Sequence, residues 1–211
     1  MKFVLLAAGK SQRIFKIINK NKCLLKINKK TLIENSINEI LKTKIKDITV
    51  VLGFKPDLIK NKLKNYKNIK FILNKKYNYK EMLYSLIFAL RKYNSDIIFA
   101  YTDIIFSHKI INKIIKSNKK NITITVLSNW KKIWKIRNKN PLIDGETLFI
   151  NKSNHLISIG EKINNLNKIK YQYMGIIYIP KSKRKKILLV YKQISKFKKM
   201  HASNFLNFLI K

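Results

Sequence analysis

Apolar residues recur along the first half of the chain in two alternating patterns. Short apolar runs bounded by polar residues predict β-strands at 2–8, 47–52, 70–73 and 96–101. Apolar residues at helical spacing predict α-helices at 31–42, 56–65 and 82–93. Strands that alternate with helices are typical of a parallel sheet covered by helices. The first half of the chain therefore predicts an α/β fold.

The pattern changes after residue 121. Shorter apolar segments predict strands at 122–127, 147–150, 156–159 and 174–179, and the tail at 181–211 has a helical pattern. No Gly/Ser-rich linker or internal repeat divides the 211 residues, a length that suits one sizeable core. We therefore expect a single α/β domain with a central sheet that is mixed but mostly parallel.

The stretch FVLLAAGKSQR near the start of the chain ends a hydrophobic run in a glycine turn. Its apolar part, 3–8, is shorter than the core of a secretory signal. One interpretation is a buried strand that ends in a simple turn. The other is a strand whose carboxyl end presents N–H groups to a phosphate, where Gly9 allows close approach and Arg13 and Lys22 supply positive charge. This stretch alone does not decide between the two interpretations.

The formal net charge of +37 suggests binding to nucleic acid. The positive charge comes from 43 lysines and only four arginines, however, whereas proteins that read phosphates and bases use arginine heavily. Lysine, asparagine and isoleucine are abundant together, as an A+T-rich genome would encode. Two explanations stay open: compositional drift, or a selected attraction to anions such as nucleotides, nucleic acid or a lipid surface.

The cysteine and histidine content argues against a disulfide and against a zinc site. Cys23 is the only cysteine, which excludes an internal disulfide and favours a reducing compartment. His108, His155 and His201 lie too far apart in sequence to suggest a zinc motif. The longest apolar runs fall short of the ~20 residues that a membrane helix needs. We expect a cytoplasmic protein without a membrane span.

Several segments, in order, resemble one enzyme superfamily. LLAAGKSQRI followed by NKCLLKINKKTLIENSI resembles the signature of the sugar-phosphate and phosphocholine nucleotidyltransferases. YNYKEMLYSLIFAL, DIIFAYTDIIF, LISIGEK, YMGIIYI and HASNFL are similar to a bacterial branch of phosphocholine cytidylyltransferase-like proteins. The resemblance implies a Rossmann-like, GT-A-like nucleotidyltransferase fold, with a nucleotide-binding half at 1–120 and an acceptor-binding half at 121–211.

The resemblance also implies a role for each matching residue. Arg13, Lys22 and Asp103 would be catalytic, with Asp103 holding a Mg²⁺ ion. The residues that would bind the nucleotide are Ala7, Ala8, Gly9, Ser11, Glu81, Met82 and Ser85. The residues that would line the acceptor side are Glu161, Tyr173 and Gly175. As a further hypothesis, Trp130 and Trp134 would join Tyr173 in an aromatic enclosure for an ammonium group, with Glu161 adding opposite charge.

The implied reaction is nucleotidyl transfer from a triphosphate to an acceptor phosphate or phosphonate, with release of pyrophosphate. CTP is the expected triphosphate, and the expected acceptor is phosphocholine or a similar amino-alcohol phosphate, for decoration of lipopolysaccharide, another surface polymer or lipid heads. The attacking oxygen is already an anion at neutral pH, so no side chain has to remove a proton. The site must instead neutralise charge and position the two substrates in line.

Simpler structural roles stay open for some of these residues. Asp103 has a physical argument of its own, because a carboxylate just after an apolar strand is costly unless a cation or a hydrogen bond satisfies it. Ser85 and Met82 lie on a helix with apolar spacing and suit a core position as well as a contact to the base. Trp130 and Trp134 are four residues apart on a predicted helix and could simply pack together.

The sequence departs from the family pattern at a few positions. Ser11 stands at the second glycine of the signature, and we expect an ordinary negative φ there. Asn21 replaces the proline before Lys22, and Thr102 replaces the small residue before Asp103.

A larger departure concerns the acidic E-x-D element that relatives carry after a segment like HASNFL. The sequence to Lys211 does not contain it, and Asn204 stands where an acidic residue is common. Either another carboxylate such as Asp144 or Glu146 substitutes as a second metal anchor, or the metal is held more weakly, or some activity is lost.

Two rival functions stay open at this point. One is a sugar-1-phosphate nucleotidyltransferase that uses UTP or another triphosphate. The other is a degenerate transferase fold that binds nucleic acid or an anionic surface through its positive charge.

Overall fold

The computed structural model describes residues 1–11, 19–78, 82–117, 120–137, 145–162, 165, 167, 169–194 and 200–210. The strands in these ranges are β1 (Lys2–Ala7), β2 (Lys26–Ile27), β3 (Lys30–Thr31), β4 (Ile48–Leu52), β5 (Ile69–Leu73), β6 (Ile97–Tyr101), β7 (Thr123–Leu127), β8 (Glu146–Ile150), β9 (Leu156–Lys162) and β10 (Gln172–Ile179). The helices are α1 (Leu32–Leu41), α2 (Pro56–Lys62), α3 (Met82–Lys92), α4 (His108–Lys116), α5 (Trp130–Arg137), α6 (Arg184–Ile194) and α7 (Ala202–Ile210).

The central sheet has the strand order β5-β4-β1-β6-β10-β7. β1 pairs in parallel with β4 and β6, and β4 pairs in parallel with β5. β10 is antiparallel to both of its neighbours, β6 and β7. β8 and β9 form a separate antiparallel hairpin, as do the very short β2 and β3. The predicted mixed, mostly parallel sheet with flanking helices is confirmed.

β1 is buried along its whole length because it lies in the middle of the sheet and both faces are covered. Successive side chains of a strand point to opposite faces. Phe3 and Leu5 accordingly pack into the core on one face, together with Ile33 and Ile37 of α1. Val4 and Leu6 pack on the other face, against residues of α3 and α6. One apolar run thus joins two hydrophobic layers.

A capping box starts α1. The backbone N–H of Glu34 donates to the Thr31 hydroxyl, while the Glu34 carboxylate accepts from the Thr31 N–H at 2.8 Å. Three isoleucines of this helix are fully buried, which fixes it against the sheet. The backbone N–H of Leu32 also donates to the carbonyl of Leu25. The start of α1 therefore anchors the segment just before it, which includes Lys22.

Several element boundaries differ from the sequence-based expectation. The helix predicted at 56–65 ends at Lys62, and the tail predicted as helical contains α6 and α7. The sequence analysis did not predict α4, a nine-residue helix that buries only Ile111 and Ile114. In the part of the chain that the structure describes, no helix is both long enough and apolar enough to span a membrane.

The parallel strands bring their carboxyl ends to one edge of the sheet. From β1 the chain builds β4 and β5 on one side, and it then crosses to β6 on the other side of β1. The strand order therefore reverses between β1 and β6, and open α/β sheets bind ligands at such a switch point. The residues that directly follow β1, β4 and β6 lie at this edge.

Candidate nucleotide-binding and catalytic site

The turn after β1 leaves open space beside Gly9. A Cβ atom added to Gly9 would meet no atom of the described residues within 4 Å, and Gly9 is exposed. Ala7 and Ala8, which precede it, are buried. The carbonyl of Ala8 accepts a hydrogen bond from the backbone N–H of Phe54 at 3.1 Å, which ties this turn to the loop after β4. The turn is thus held by the rest of the protein at Ala8 and is exposed at Gly9.

Gly53 allows the hydrogen bond between the Phe54 N–H and the Ala8 carbonyl to form. A Cβ atom on Gly53 would lie 2.5 Å from the carbonyl oxygen of Ala8 and 2.7 Å from the Cβ of Tyr77. Asn21 adds a second connection, since its side-chain amide donates to the carbonyl of Phe54 at 2.7 Å. Three loops therefore meet at the carboxyl end of the sheet, and the space beside Gly53 has no room for a side chain.

Ser11 differs from the sequence-based expectation. Its φ is +56°, in the left-handed region, so the expected ordinary negative φ is wrong. A side chain in this region costs about 1–2 kcal/mol relative to an ordinary conformation. The Ser11 hydroxyl accepts a hydrogen bond from the backbone N–H of Lys22 at 2.8 Å, a contact that helps to offset this cost. The serine side chain thus links this turn to Lys22.

Lys22 and Asp103 form an ion pair at the switch point. The Lys22 ammonium lies 2.8 Å from the Asp103 carboxylate, and each side chain is 33% exposed. Asp103 lies two residues past β6, and the preceding Thr102 donates from its hydroxyl to the carbonyl of Leu6 at 3.1 Å. This bond fixes the chain after β6 to β1. The structure therefore brings together two of the three predicted catalytic residues.

The third predicted catalytic residue, Arg13, lies outside the described residues, as do Glu81 and Asp144. Cys23 is next to Lys22 in sequence, but burial raises the pKa of its thiol to about 12. A thiol with so high a pKa stays protonated at neutral pH and is a poor nucleophile. Cys23 is therefore a core residue and not a member of the reactive set.

Asp103 fits the way in which proteins hold Mg²⁺ for a phosphate substrate. Such an ion is commonly bound by one or two carboxylates, several waters and the oxygens of the phosphates. Within the described ranges, no group of three or more His, Cys, Asp or Glu side chains is placed to hold a metal. One carboxylate at this position is compatible with a Mg²⁺ ion that a phosphate ligand would also hold, and the described residues do not form a closed metal site of their own.

On the predicted base side, Met82 and Ser85 have different environments. Met82, the first residue of α3, is 40% exposed, so it can reach a ligand. Ser85 is 3% exposed, and its hydroxyl accepts a hydrogen bond from the side-chain amide of buried Asn74 at 3.0 Å. The geometry favours the core alternative for Ser85. Asn74 was not singled out in the sequence, although it directly follows the strand β5.

On the predicted acceptor side, Tyr173 and Gly175 lie together on β10. The Tyr173 ring packs edge to face against Tyr101, with 6.1 Å between the ring centroids. Gly175 has a φ of +85°, and a Cβ on it would lie 2.6 Å from a ring carbon of Tyr101. Glu161, on β9, has an exposed side chain, and its backbone N–H donates to the Thr147 hydroxyl. Tyr101 was not among the predicted site residues.

Trp130 and Trp134 pack on each other at the start of α5. Their rings meet edge to face, with 5.9 Å between centroids. Trp130 is fully buried, and its indole N–H donates to the carbonyl of Ile169 at 3.3 Å. A fully buried ring offers no surface to a ligand, so the geometry favours the packing alternative for Trp130. The proposed aromatic enclosure stays a prediction for Trp134 and Tyr173.

A glycine turn with a lysine and a carboxylate at the switch point of a mostly parallel sheet suits an α/β protein that binds a phosphate-containing ligand. The family model described as the MobA-like NTP transferase domain matches residues 3–156. The chain belongs to this family, and the predicted enzyme class is confirmed.

Individual relatives agree with this assignment. CTP:phosphoglutamine cytidylyltransferase from Campylobacter jejuni is 28% identical over 225 residues, which cover 100% of this chain and 88% of that protein. The inositol-1-phosphate CTP transferase from T. maritima has a similar fold, with a TM-score of 0.77, 15% identity and coverage of 98% of this chain and 79% of that one. CTP:phosphocholine cytidylyltransferase from Streptococcus pneumoniae has a TM-score of 0.70, 18% identity and coverage of 98% and 83%. The predicted resemblance to this branch is confirmed.

Proposed function

We propose that the protein is a CTP-dependent cytidylyltransferase that transfers CMP to a small phosphorylated acceptor and releases pyrophosphate. The ion pair of Lys22 with Asp103, at the switch point of the sheet and beside the open turn at Gly9, is the observation that carries this proposal. The Campylobacter jejuni relative, whose name specifies CTP, supports the choice of triphosphate because it matches the whole chain. The acceptor class is phosphocholine or a similar amino-alcohol phosphate or phosphonate.

The chemistry needs no side chain that removes a proton. An anionic oxygen of the acceptor attacks the α-phosphorus of CTP, so that a new P–O bond forms there. The bond from the α-phosphorus to the bridging oxygen breaks, and pyrophosphate leaves with the electron pair. Such a reaction is slowed by repulsion between the two anionic substrates. It also requires that the attacking oxygen, the α-phosphorus and the leaving oxygen lie in line.

The residues at the switch point suit those two needs. The Lys22 ammonium can move from Asp103 to the triphosphate, and the backbone at Gly9 leaves room for phosphate oxygens. Asp103 would hold Mg²⁺ together with the triphosphate, and the bound ion would neutralise charge on the phosphates. Arg13 would supply further positive charge, a role that stays a prediction from the resemblance.

The test is pyrophosphate release from CTP, UTP, ATP and GTP, with and without phosphocholine, for the wild type and Asp103→Asn. We expect selectivity for CTP, dependence on a divalent metal, and a fall in kcat/KM of about 100-fold or more in Asp103→Asn. The matched control is Asp57→Asn, which removes a carboxylate that is 79% exposed on the first turn of α2. Equal turnover of Asp103→Asn and the wild type would contradict the proposal.

Two other outcomes would favour the rival functions. Turnover with UTP or another triphosphate and a sugar 1-phosphate, but not with CTP, would indicate a sugar-1-phosphate nucleotidyltransferase. Tight polyanion binding that weakens steeply with salt, without metal-dependent turnover, would indicate a basic binding protein.

A further inference from the structure

Asn21 is a buried polar residue whose side chain is only half satisfied. It is 1% exposed and directly precedes Lys22. Its side-chain amide donates to the carbonyl of Phe54 at 2.7 Å, whereas its side-chain oxygen is buried and has no hydrogen-bond partner among the described residues. A buried acceptor without a partner lowers stability. The stability of the fold therefore does not explain why an asparagine stands at this position.

The backbone at Asn21 does not require an asparagine either. Its φ is −62° and its ψ is 137°, an extended conformation that most residues adopt and that lies close to the fixed φ of proline. The backbone N–H of Asn21 donates to no residue that the structure describes. The feature that distinguishes asparagine at this position is thus the side-chain amide that reaches Phe54.

This amide completes a bridge from the chain at Lys22 to the turn at Gly9. Phe54 accepts from Asn21 through its carbonyl, and it donates through its N–H to the carbonyl of Ala8 at 3.1 Å. Ala8 directly precedes Gly9. Two hydrogen bonds through one residue of the loop after β4 therefore connect the two parts of the site that lie nearest to the proposed triphosphate.

A second connection reaches Lys22 from the other side of Gly9. The hydroxyl of Ser11, two residues after Gly9, accepts from the backbone N–H of Lys22 at 2.8 Å. Both connections end on the main chain or on Asn21, so they leave the Lys22 ammonium to its pair with Asp103. They hold the place from which the lysine side chain extends, while its ammonium stays able to change partners.

We propose that Asn21 is a positioning residue for Lys22, because its amide fixes the chain that carries the lysine relative to the turn at Gly9. Asn21 is buried and does not touch the ligand itself. The lysine stem is long and flexible, so the place of its backbone decides where the ammonium can reach without a further loss of freedom. A displacement of about 1 Å in a group that positions a substrate can lower a rate by about 100-fold. This inference rests on the proposed function, since it concerns the triphosphate of the same reaction.

The test is a double-mutant cycle that combines Asn21→Ala with Lys22→Gln. We expect Asn21→Ala alone to lower kcat/KM for CTP by about 10-fold, because the lysine is present but less well placed. In the Lys22→Gln background, Asn21→Ala should cause no further loss, because the effects of two residues that act as one unit do not add. A structural role that is independent of the lysine would lower activity in both backgrounds. Thermal melting checks that each variant is folded.

Asn38→Ala is the matched control. Asn38 also has one side-chain hydrogen bond, which its oxygen accepts from the Tyr66 hydroxyl at 3.2 Å, and its amide nitrogen is also buried without a partner. It lies on α1 and makes no hydrogen bond to Phe54 or to the chain at Lys22 among the described residues. The control should leave kcat/KM for CTP unchanged in both backgrounds.

Asn21→Pro asks whether a fixed chain is what Lys22 needs. Proline locks φ near −65°, close to the −62° of Asn21, and so restricts the backbone before Lys22 without a side-chain amide. It is also the residue of the family pattern at this position. We expect Asn21→Pro to regain most of the activity that Asn21→Ala loses, to within about threefold of the wild type. A folded Asn21→Pro that is as weak as Asn21→Ala would show that a fixed chain is not what the lysine needs, and would overturn the proposal.

The remaining outcomes are also decisive. Wild-type kcat/KM in Asn21→Ala, or an equal loss in the wild-type and Lys22→Gln backgrounds, overturns the positioning role. If the wild type turns over no triphosphate, the proposed function fails, and calorimetric binding of inorganic tripolyphosphate still tests the inference with the same four proteins. Binding that Asn21→Ala weakens only when Lys22 is present supports it. Binding that Asn21→Ala leaves unchanged, or weakens equally in both backgrounds, overturns it.

Discussion

The ammonium of Lys22 lies 2.8 Å from the carboxylate of Asp103, although 81 positions separate the two residues in the chain. A pair that is one-third exposed contributes only about 0–1 kcal/mol to stability. The ion pair therefore adds little to the stability of the fold. A triphosphate carries several negative charges, so on binding it can compete with Asp103 for the lysine. In the free protein the lysine in turn competes with any metal ion for the same carboxylate.

Lys22→Gln should separate these two roles of the lysine. We expect kcat/KM with CTP to fall by about 100-fold, because a charge that stabilises the reacting phosphates is lost. The weak binding of Mn²⁺ to the free protein, followed by electron paramagnetic resonance at low salt, should become tighter, because Asp103 loses its counter-ion. Lys60→Gln, which breaks the exposed pair with Asp57, is the matched control. Unchanged Mn²⁺ affinity in Lys22→Gln would show that the lysine does not compete with the metal.

Gly53→Ala should destabilise the protein, and Gly9→Ala should not. A Cβ on Gly53 would lie 2.5 Å from the carbonyl oxygen of Ala8 and 2.7 Å from Tyr77, so we expect the free energy of unfolding to fall by about 1–3 kcal/mol in urea titrations. Among the described residues no atom lies within 4 Å of a Cβ on Gly9, and Gly9 has no positive φ, so Gly9→Ala should unfold as the wild type does. It should raise the KM for CTP, however, because the methyl group occupies space that phosphate oxygens need. Normal CTP kinetics in Gly9→Ala would place the triphosphate elsewhere.

Much of the fold could be predicted because the central strands are apolar on both faces. The runs that became β1, β4 and β6 are nearly continuous in Leu, Val, Ile and Phe, and such runs indicate strands that are covered on both sides. α4 was not predicted although Ile110, Ile111, Ile114 and Ile115 stand at helical spacing, because the helix is short and only Ile111 and Ile114 are buried.

The site was harder to predict because it depends on contacts between distant segments. The resemblance supplied Lys22 and Asp103, but only the tertiary structure shows that they form a pair. The left-handed φ of Ser11 could not be seen locally, since the hydrogen bond that supports it comes from Lys22.

Glu39 should make stability depend on pH in the acid range. Its hydrogen bond from Lys42 is the largest cause that lowers its pKa, from an ordinary 4.5 to about 2, and the backbone N–H of His108 adds to this at 2.7 Å. Because the pKa of Glu39 is lower in the folded state, the ionised carboxylate stabilises the fold fully above pH 4.5. This stabilisation is lost as the pH falls towards 2. Glu39→Gln should therefore cost about 1–2 kcal/mol at pH 7.

Urea titrations at a series of pH values provide the measurement. The difference in unfolding free energy between the wild type and Glu39→Gln should shrink between pH 4.5 and the lowest pH at which both proteins fold. Asp57→Asn, whose carboxylate is 79% exposed, should follow the wild type at every pH. A constant difference between the wild type and Glu39→Gln across this range would mean that the carboxylate's charge does not matter.

Ser85→Ala should decide whether this serine belongs to the core or to the base site. Its hydroxyl is 3% exposed and already accepts from Asn74, which is itself 1% exposed. Removing the hydroxyl leaves the buried Asn74 amide without an acceptor, so we expect a loss of about 1–3 kcal/mol in the free energy of unfolding. The KM for CTP and the preference for CTP over UTP should not change, because the hydroxyl is turned to Asn74 and away from solvent.

Ser36→Ala is the matched control for this substitution. Ser36 is also buried in a helix, but its hydroxyl donates to the carbonyl of Leu32 within α1, an oxygen that keeps its helical partner when the hydroxyl is removed. The control should therefore lose much less stability than Ser85→Ala. A Ser85→Ala variant of normal stability, with a raised KM for CTP and weaker discrimination against UTP, would instead place the serine in contact with the base and would require α3 to turn on binding.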